Sequence, residues 1–174
     1  MGATSQAEAD RFIQSSYYRS HVGPPETYDL NAAMQFNLLT FLGLRETHYL
    51  PGHYYGIEPE QWLIDEGIKN ELGQDMVRIK RPTFSNDANF TLTIFGRSFD
   101  YLLAQSIFTH APQSHIRRCL AEAAKVMTPA AIFAATIFKG DQDYAGSEWQ
   151  ADIGLTSRPD TMRALAREQG LICL

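Results

Sequence analysis

The chain has 174 residues, the size of one ordinary domain, and its 44% hydrophobic and 20% charged residues suit a buried core and exclude an intrinsically disordered chain. A formal net charge of −5 argues against a nucleic-acid surface, and the only basic pairs, Lys80-Arg81 and Arg117-Arg118, read as solvated surface rather than a phosphate track. Two cysteines, Cys119 and Cys173, supply neither a disulfide framework nor a zinc spacing, residues 1–10 lack an apolar signal core, and the longest apolar run, 130–138, is too short to span a bilayer. The expectation is a protein of the reducing cytoplasm with no membrane partner.

Residues 1–28 read as a loose polar tail and an aromatic-rich segment, which either covers a pocket or packs as a satellite core. Gly23-Pro24-Pro25 forces extended backbone there. Residues 29–174 read as one domain. Asp29 is placed to cap a helix running to about Leu42, with Leu30, Ala33, Met34, Leu38, Phe41 and Leu42 on one face and Gly43 at its end. Residues 54–57 form a short strand that stops at Glu58-Pro59. Pro59 suits the first turn of a helix over 59–72, which turns Trp62, Leu63, Ile68 and Leu72 inward and closes at Gly73. Residues 76–80 read as the next strand and 82–89 as a polar loop.

The nearly continuous apolar run 99–104 predicts a strand buried on both faces. A helix follows over 112–127, with the stripe Ile116, Leu120, Ala123, Ala124 and Met127 and with Cys119 as a small buried residue. Residues 131–138 read as a second fully buried strand and 140–156 as irregular. The last helix, 159–169, turns Met162, Leu165 and Ala166 inward and ends at Gly170, and 171–174 open a further strand. Strands alternating with helices predict an α/β fold, a Rossmann-like, doubly wound, mostly parallel sheet with right-handed crossovers.

Such sheets bind ligands beyond the carboxyl ends of their strands, so the loops after Ile57, Lys80, Ala104 and Phe138 carry the candidates. Glu58 follows a strand, where a carboxylate can accept two hydrogen bonds from a ribose diol; an acid before proline also serves as a helix-start charge. Asp87 can accept from an adenine amino group, and Asn86-Asp87 equally favours a turn. After Gln105-Ser106 the chain reaches His110, which either takes a proton from an acceptor or is a hydrogen-bonded helix-start histidine. His110 and His115, five apart, do not share a helical face for a metal.

Several segments fall in a familiar order. They are Tyr28-Asp29-Leu30 before Met34-Gln35-Phe36-Asn37-Leu38-Leu39, then Gly43-Leu44-Arg45, Tyr55-Gly56-Ile57-Glu58-Pro59, Lys80-Arg81-Pro82 with Phe84, Phe99-Asp100, and Ala104-Gln105-Ser106-Ile107-Phe108-Thr109-His110-Ala111. Together they resemble a bacterial-type class I S-adenosylmethionine-dependent methyltransferase over residues 15–170. The resemblance implies S-adenosylmethionine as cofactor and a small-molecule or glycan-like methyl acceptor. It implies that Glu58 holds the ribose and that Asp87, with Asn86 or Asn89 as alternatives, lies on the adenine side. Gln105 and Ser106 would face donor and acceptor, and His110 would lie near the acceptor.

The chain departs from that family between Arg45 and Tyr55. The family's first strand, its glycine-rich donor loop and the following helix belong there, a unit of about 30 residues, whereas residues 46–54 hold a single glycine, Gly52. The expected sheet is therefore incomplete, without its first strand and its last strands, and the methionine side of the pocket is empty. Neighbouring strands would lose a partner, which favours a homo-oligomer formed through the gap in the sheet. A non-catalytic methyltransferase-like relic or interaction protein is the alternative. Another nucleotide-binding α/β protein is weaker, because no G-x-G-x-x-G follows a strand.

Overall fold

A computed structural model describes residues 19, 27–151 and 153–173. The expected polar tail and most of the aromatic segment lie outside the described residues, as does Leu174. The chain divides after Asn86 into two units, each with its own helices and strands.

In the first unit, α1 (Tyr28–Phe41) begins after Thr27, and Asp29 sits in its first turn, where its charge meets the positive end of the helix, rather than capping it. Gly43, at φ 103°, takes the left-handed conformation that ends the helix. No residue of α1 is buried. The face read from the sequence as core-facing is open to solvent: Leu30 is 59%, Met34 60% and Phe41 87% exposed. Helical spacing says which side chains share a face, and it says nothing of what lies against that face. After a 3-10 turn, Glu46–Tyr49, the short strand β1 (Tyr55–Ile57) follows.

Next, α2 (Gln61–Gly67) widens into a π turn, Ile68–Leu72, and Gly73 breaks it at φ 75°. The chain then re-enters helix as α3 (Gly73–Lys80), so the strand expected over 76–80 is helical. Five residues are too few to separate a period of 2 from one of 3.6. The spacing Leu72, Met76, Lys80 is as helical as 76–80 is alternating. A strand does form next to it, β2 (Thr83–Ser85), within the segment read as a polar loop. It runs parallel to β1, with Gly56 opposite Phe84. A Cβ on Gly56 would stand 2.9 Å from the Phe84 ring, which is why this strand carries glycine. Arg19 forks onto Glu71 at 2.9 and 3.0 Å and stacks over the Tyr28 ring.

The second unit holds β3 (Phe99–Ala104), α4 (Gln113–Val126), β4 (Met127–Ala135), β5 (Phe138–Lys139), β6 (Thr156–Ser157) and α5 (Pro159–Glu168). β3 pairs in parallel with β4 through the α4 crossover, and β5 pairs in parallel with β6. The chain thus mixes helix and strand, and among the described residues the three strand pairs are parallel and two-stranded. The core lies where α4 and α5 meet the end of β3: Ala104, Phe108, Ile116, Leu120, Leu165 and Ala166 pack there, with Met162 against them. α4 buries Ile116, Leu120 and Ala123 of its expected stripe, with Cys119, but Ala124 is half-buried, Val126 takes the inward place expected of Met127, and Met127 opens β4. Two further expectations change. β3 buries only Ala104, and β4 begins four residues early and buries none, because a two-stranded pair leaves its flanks half open. Residues 171–173 after Gly170 form no strand. Among the described residues no helix is long and apolar enough to cross a membrane.

The start of α5 is capped from a distance. Asp143 accepts the Arg158 amide at 2.8 Å and the Thr161 hydroxyl at 2.7 Å. The Arg158 amide bond, followed by the Thr161 bond, holds the Asp143 carboxyl below its ordinary value of 3.8. Asp143→Ala is expected to cost about 1–2 kcal/mol at neutral pH, as loss of hydrogen bonds to a charged group does. A depressed carboxylate stabilises above its unfolded value and stops doing so as pH falls through its folded value. The difference in melting temperature between wild type and variant should therefore shrink as pH drops below 3.8. A difference that stays constant with pH would show that the carboxylate does not act as the cap.

Both cysteines are free thiols, with Cys119 buried and Cys173 exposed. Burial pushes the Cys119 thiol up to about 12, which suppresses the reactive thiolate. In a thiol titration with an aromatic disulfide reagent near neutral pH, the native chain should react at one cysteine and the unfolded chain at both. Rapid reaction of both in the native chain would place Cys119 outside the core.

Candidate functional site

In the first unit, β1, α2, α3 and β2, with Tyr49 and Leu50, line an open pocket of about 610 Å³. Its walls are mostly apolar, with Tyr49, Ile57, Leu63, Met76 and Phe84 among them, and Glu58 and Lys80 supply its charges. The size lies within the range of about 300–1,000 Å³ usual for small-molecule sites. Glu58 stands at the carboxyl end of β1 and is held from three directions. Its amide donates to the Ser85 carbonyl at 3.0 Å, its carbonyl accepts Asn86 Nδ2 at 3.0 Å, and its Oε1 accepts the Glu60 amide at 3.0 Å. Glu58 therefore caps the turn into α2 with one carboxylate oxygen and keeps Oε2 for a ligand. Lys80 is committed elsewhere: its Nζ donates to the Tyr49 carbonyl at 3.2 Å and sits 5.3 Å over the Tyr49 ring.

The other four candidates belong to the second unit. Asp87 Oδ1 accepts the amides of Asn89 at 2.8 Å and Thr91 at 2.7 Å, and Oδ2 accepts the Thr91 hydroxyl at 2.9 Å. Burial raises the Asp87 carboxyl, but the Thr91 and Asn89 bonds and the charge of Arg118 outweigh it and leave the group below its ordinary value. Arg118 also donates to Asn89 at 2.8 Å, and Asn86 donates to the Glu58 carbonyl, so Asn86, Asp87 and Asn89 are all engaged in bonds within the protein.

At the end of β3 the chain turns sharply. Ser106 adopts φ 55°, a left-handed conformation that costs a non-glycine residue about 1 kcal/mol or more. Its amide donates to Thr136 Oγ1 at 2.7 Å, and Gln105 Nε2 donates to Ser106 Oγ at 3.2 Å. His110 lies four residues on, half-buried. Its Nδ1 meets the Gln150 carbonyl at 2.9 Å, and the Gln150 amide donates back to the His110 carbonyl at 3.0 Å. A carbonyl only accepts, so the proton of a neutral His110 sits on Nδ1 and the Nε2 lone pair is left free. Trp149 lies between His110 and His115, each ring centroid 6.4 Å from it. The neighbouring Thr109 hydroxyl is buried without a partner.

Gln105, Ser106 and His110 thus share one strand end. Glu58 governs a pocket in the first unit, and the Asp87 carboxylate is engaged in its own turn. Sequence reasoning missed Thr136, Trp149 and Gln150, which hold Ser106 and His110 from 30 to 40 residues away and carry no local signal. It also missed Met76 and Lys80 as pocket residues, because their segment read as a strand. Among the described residues no three His, Cys, Asp or Glu side chains gather as a metal site. Comparison with family models, with curated proteins and with solved structures finds no match to this chain.

Proposed function

We propose that the chain is a methyltransferase-type α/β protein that binds the nucleoside end of S-adenosylmethionine at Glu58. The observation that carries this reading is a carboxylate oxygen free for a ligand, at the carboxyl end of a parallel strand, on the wall of an open pocket of about 610 Å³. The apolar walls suit the flat face of a purine, and Glu58 suits two vicinal hydroxyls. Each unit holds a parallel strand pair joined by a helical crossover, β1–β2 in the first and β3–β4 in the second, the element from which α/β folds are built. When bound, the donor supplies a sulfonium methyl group already activated for transfer. Within the second unit, His110 Nε2 keeps a lone pair that can accept a proton, the role that the resemblance gives it toward a small-molecule or glycan-like acceptor. The free thiols agree with a reducing, cytoplasmic setting.

The methionine end of the donor fits less well. Residues 46–54 hold a 3-10 turn and a second turn at Gly52, without a glycine-rich cradle of backbone amides. This favours a second reading, a methyltransferase-like protein that binds nucleosides and does not transfer methyl groups. Calorimetry with S-adenosylhomocysteine tests the common core of both. Binding at millimolar or tighter affinity supports it, and no heat at high ligand concentration overturns it. A methyl-transfer assay then separates the two.

A further inference from the structure

We infer that α1 is the self-association surface of this protein and that its exposed apolar ridge docks against the same ridge of a second copy. The ridge is Leu30, Met34, Leu38 and Phe41, spaced i, i+4, i+8, i+11 along one face, and these side chains are 59%, 60%, 45% and 87% exposed. None of the 14 residues of α1 is buried, although helices this apolar are ordinarily covered. Among the described residues of the first unit, Ile64 is the single buried hydrophobic side chain, so this unit leaves its apolar surface largely uncovered. Phe36, on another side of α1, meets the Tyr49 ring with centroids 6.5 Å apart and ties the helix to the unit.

Area and charge both favour a second copy as the occupant. The four side chains expose roughly 500 Å², toward the upper end of apolar patches on monomers, about 300–600 Å². Two ridges facing each other would bury at most about 1,000 Å², the threshold of a specific interface, which points to a weak dimer that dissociates on dilution. The helix carries one formal charge, Asp29, which has Arg19 at 3.8 Å, and no lysine or arginine. Two such helices can approach without like-charge repulsion despite the net charge of −5. The same lack of basic residues does not suit an anionic membrane, which selects Lys- and Arg-rich helices. A twofold antiparallel arrangement sets Met34 against Leu38 of the other copy and Leu30 against Phe41, as a self-complementary interface requires. The proposal concerns α1 alone and is independent of the cofactor reading.

Sedimentation velocity from about 1 to 100 µM tests it. The wild-type mass should rise toward twice 19.6 kDa with concentration. The double variant Met34→Glu, Leu38→Glu should stay at the single-chain mass throughout, with an unchanged far-ultraviolet circular dichroism spectrum. Should that variant lose its spectrum, Phe41→Ser, at the most exposed position of the ridge, replaces it and should weaken the dimer at least tenfold. A wild type that stays monomeric overturns the proposal, as does a dimer that persists in the variants or an open-ended polymer. Binding of a monomeric wild type to neutral phosphatidylcholine vesicles would also overturn it and assign the ridge to a lipid surface.

Discussion

Ile116→Ala is expected to destabilise the second unit by about 2–5 kcal/mol, the usual cost of truncating a core aliphatic side chain to alanine. Ile116 is 1% exposed and lies in the middle of the buried stripe of α4. It belongs to the cluster that joins the end of β3 to α5 through Phe108, Leu120 and Leu165. These neighbours come from three separate elements and cannot all move into the space of three missing methyl-sized groups, so a cavity term adds to the lost transfer energy. Urea unfolding should show a lower midpoint with an unchanged slope. The control is Ile94→Ala, at a residue 58% exposed, which should stay within about 0.5 kcal/mol of wild type. Equal effects at the two positions would mean that the core is not where α4 and α5 meet.

The second large effect concerns ligand affinity. Glu58→Ala should weaken adenosine and S-adenosylhomocysteine about 10–100-fold, equal to about 1.4–2.8 kcal/mol, the size of charge-assisted bonds to one carboxylate. Glu58→Gln has a single oxygen, which stays on the Glu60 amide and leaves an NH2 donor where the ligand needs an acceptor, so it should weaken binding about as much as Glu58→Ala. Because Oε1 of Glu58 also accepts the Glu60 amide, the alanine variant loosens the start of α2 as well. A thermal melt separates that loss from lost binding, since the glutamine variant retains the cap. A further ratio reports on the missing cradle. With no glycine-rich loop in residues 46–54, S-adenosylhomocysteine should bind no more than about tenfold tighter than adenosine, because only the nucleoside end is held. Unchanged affinity in Glu58→Ala would remove Glu58 from the site.

The site was legible in the sequence to different depths. The position of Glu58 just after β1 was legible because a strand stop followed by Glu-Pro is a local pattern. Asp87 was recognised both as a ligand candidate and as a turn former, and its bonds to Asn89 and Thr91, two and four residues away, are those of a turn former. His110 was visible as a histidine near a strand end. Its tautomer was not, because the carbonyl that sets it belongs to Gln150, 40 residues on, in a stretch without periodicity.

The sequence by itself determined α4 and α5, the strand at Phe99–Ala104 and the parallel pairing, because a helical stripe or an apolar run repeated over several residues is encoded within one segment. It also determined that no strand, glycine-rich loop and helix fit between Arg45 and Tyr55, since chain length alone decides that. Only the tertiary structure decided that residues 76–80 are helical, that β3 and β4 are half open, and that Thr136 and Gln150 hold Ser106 and His110. It alone decided that the ridge of α1 is uncovered. Periodicity fixes which side chains share a face, while what meets that face depends on residues distant in the chain, whose contacts leave no mark on local spacing.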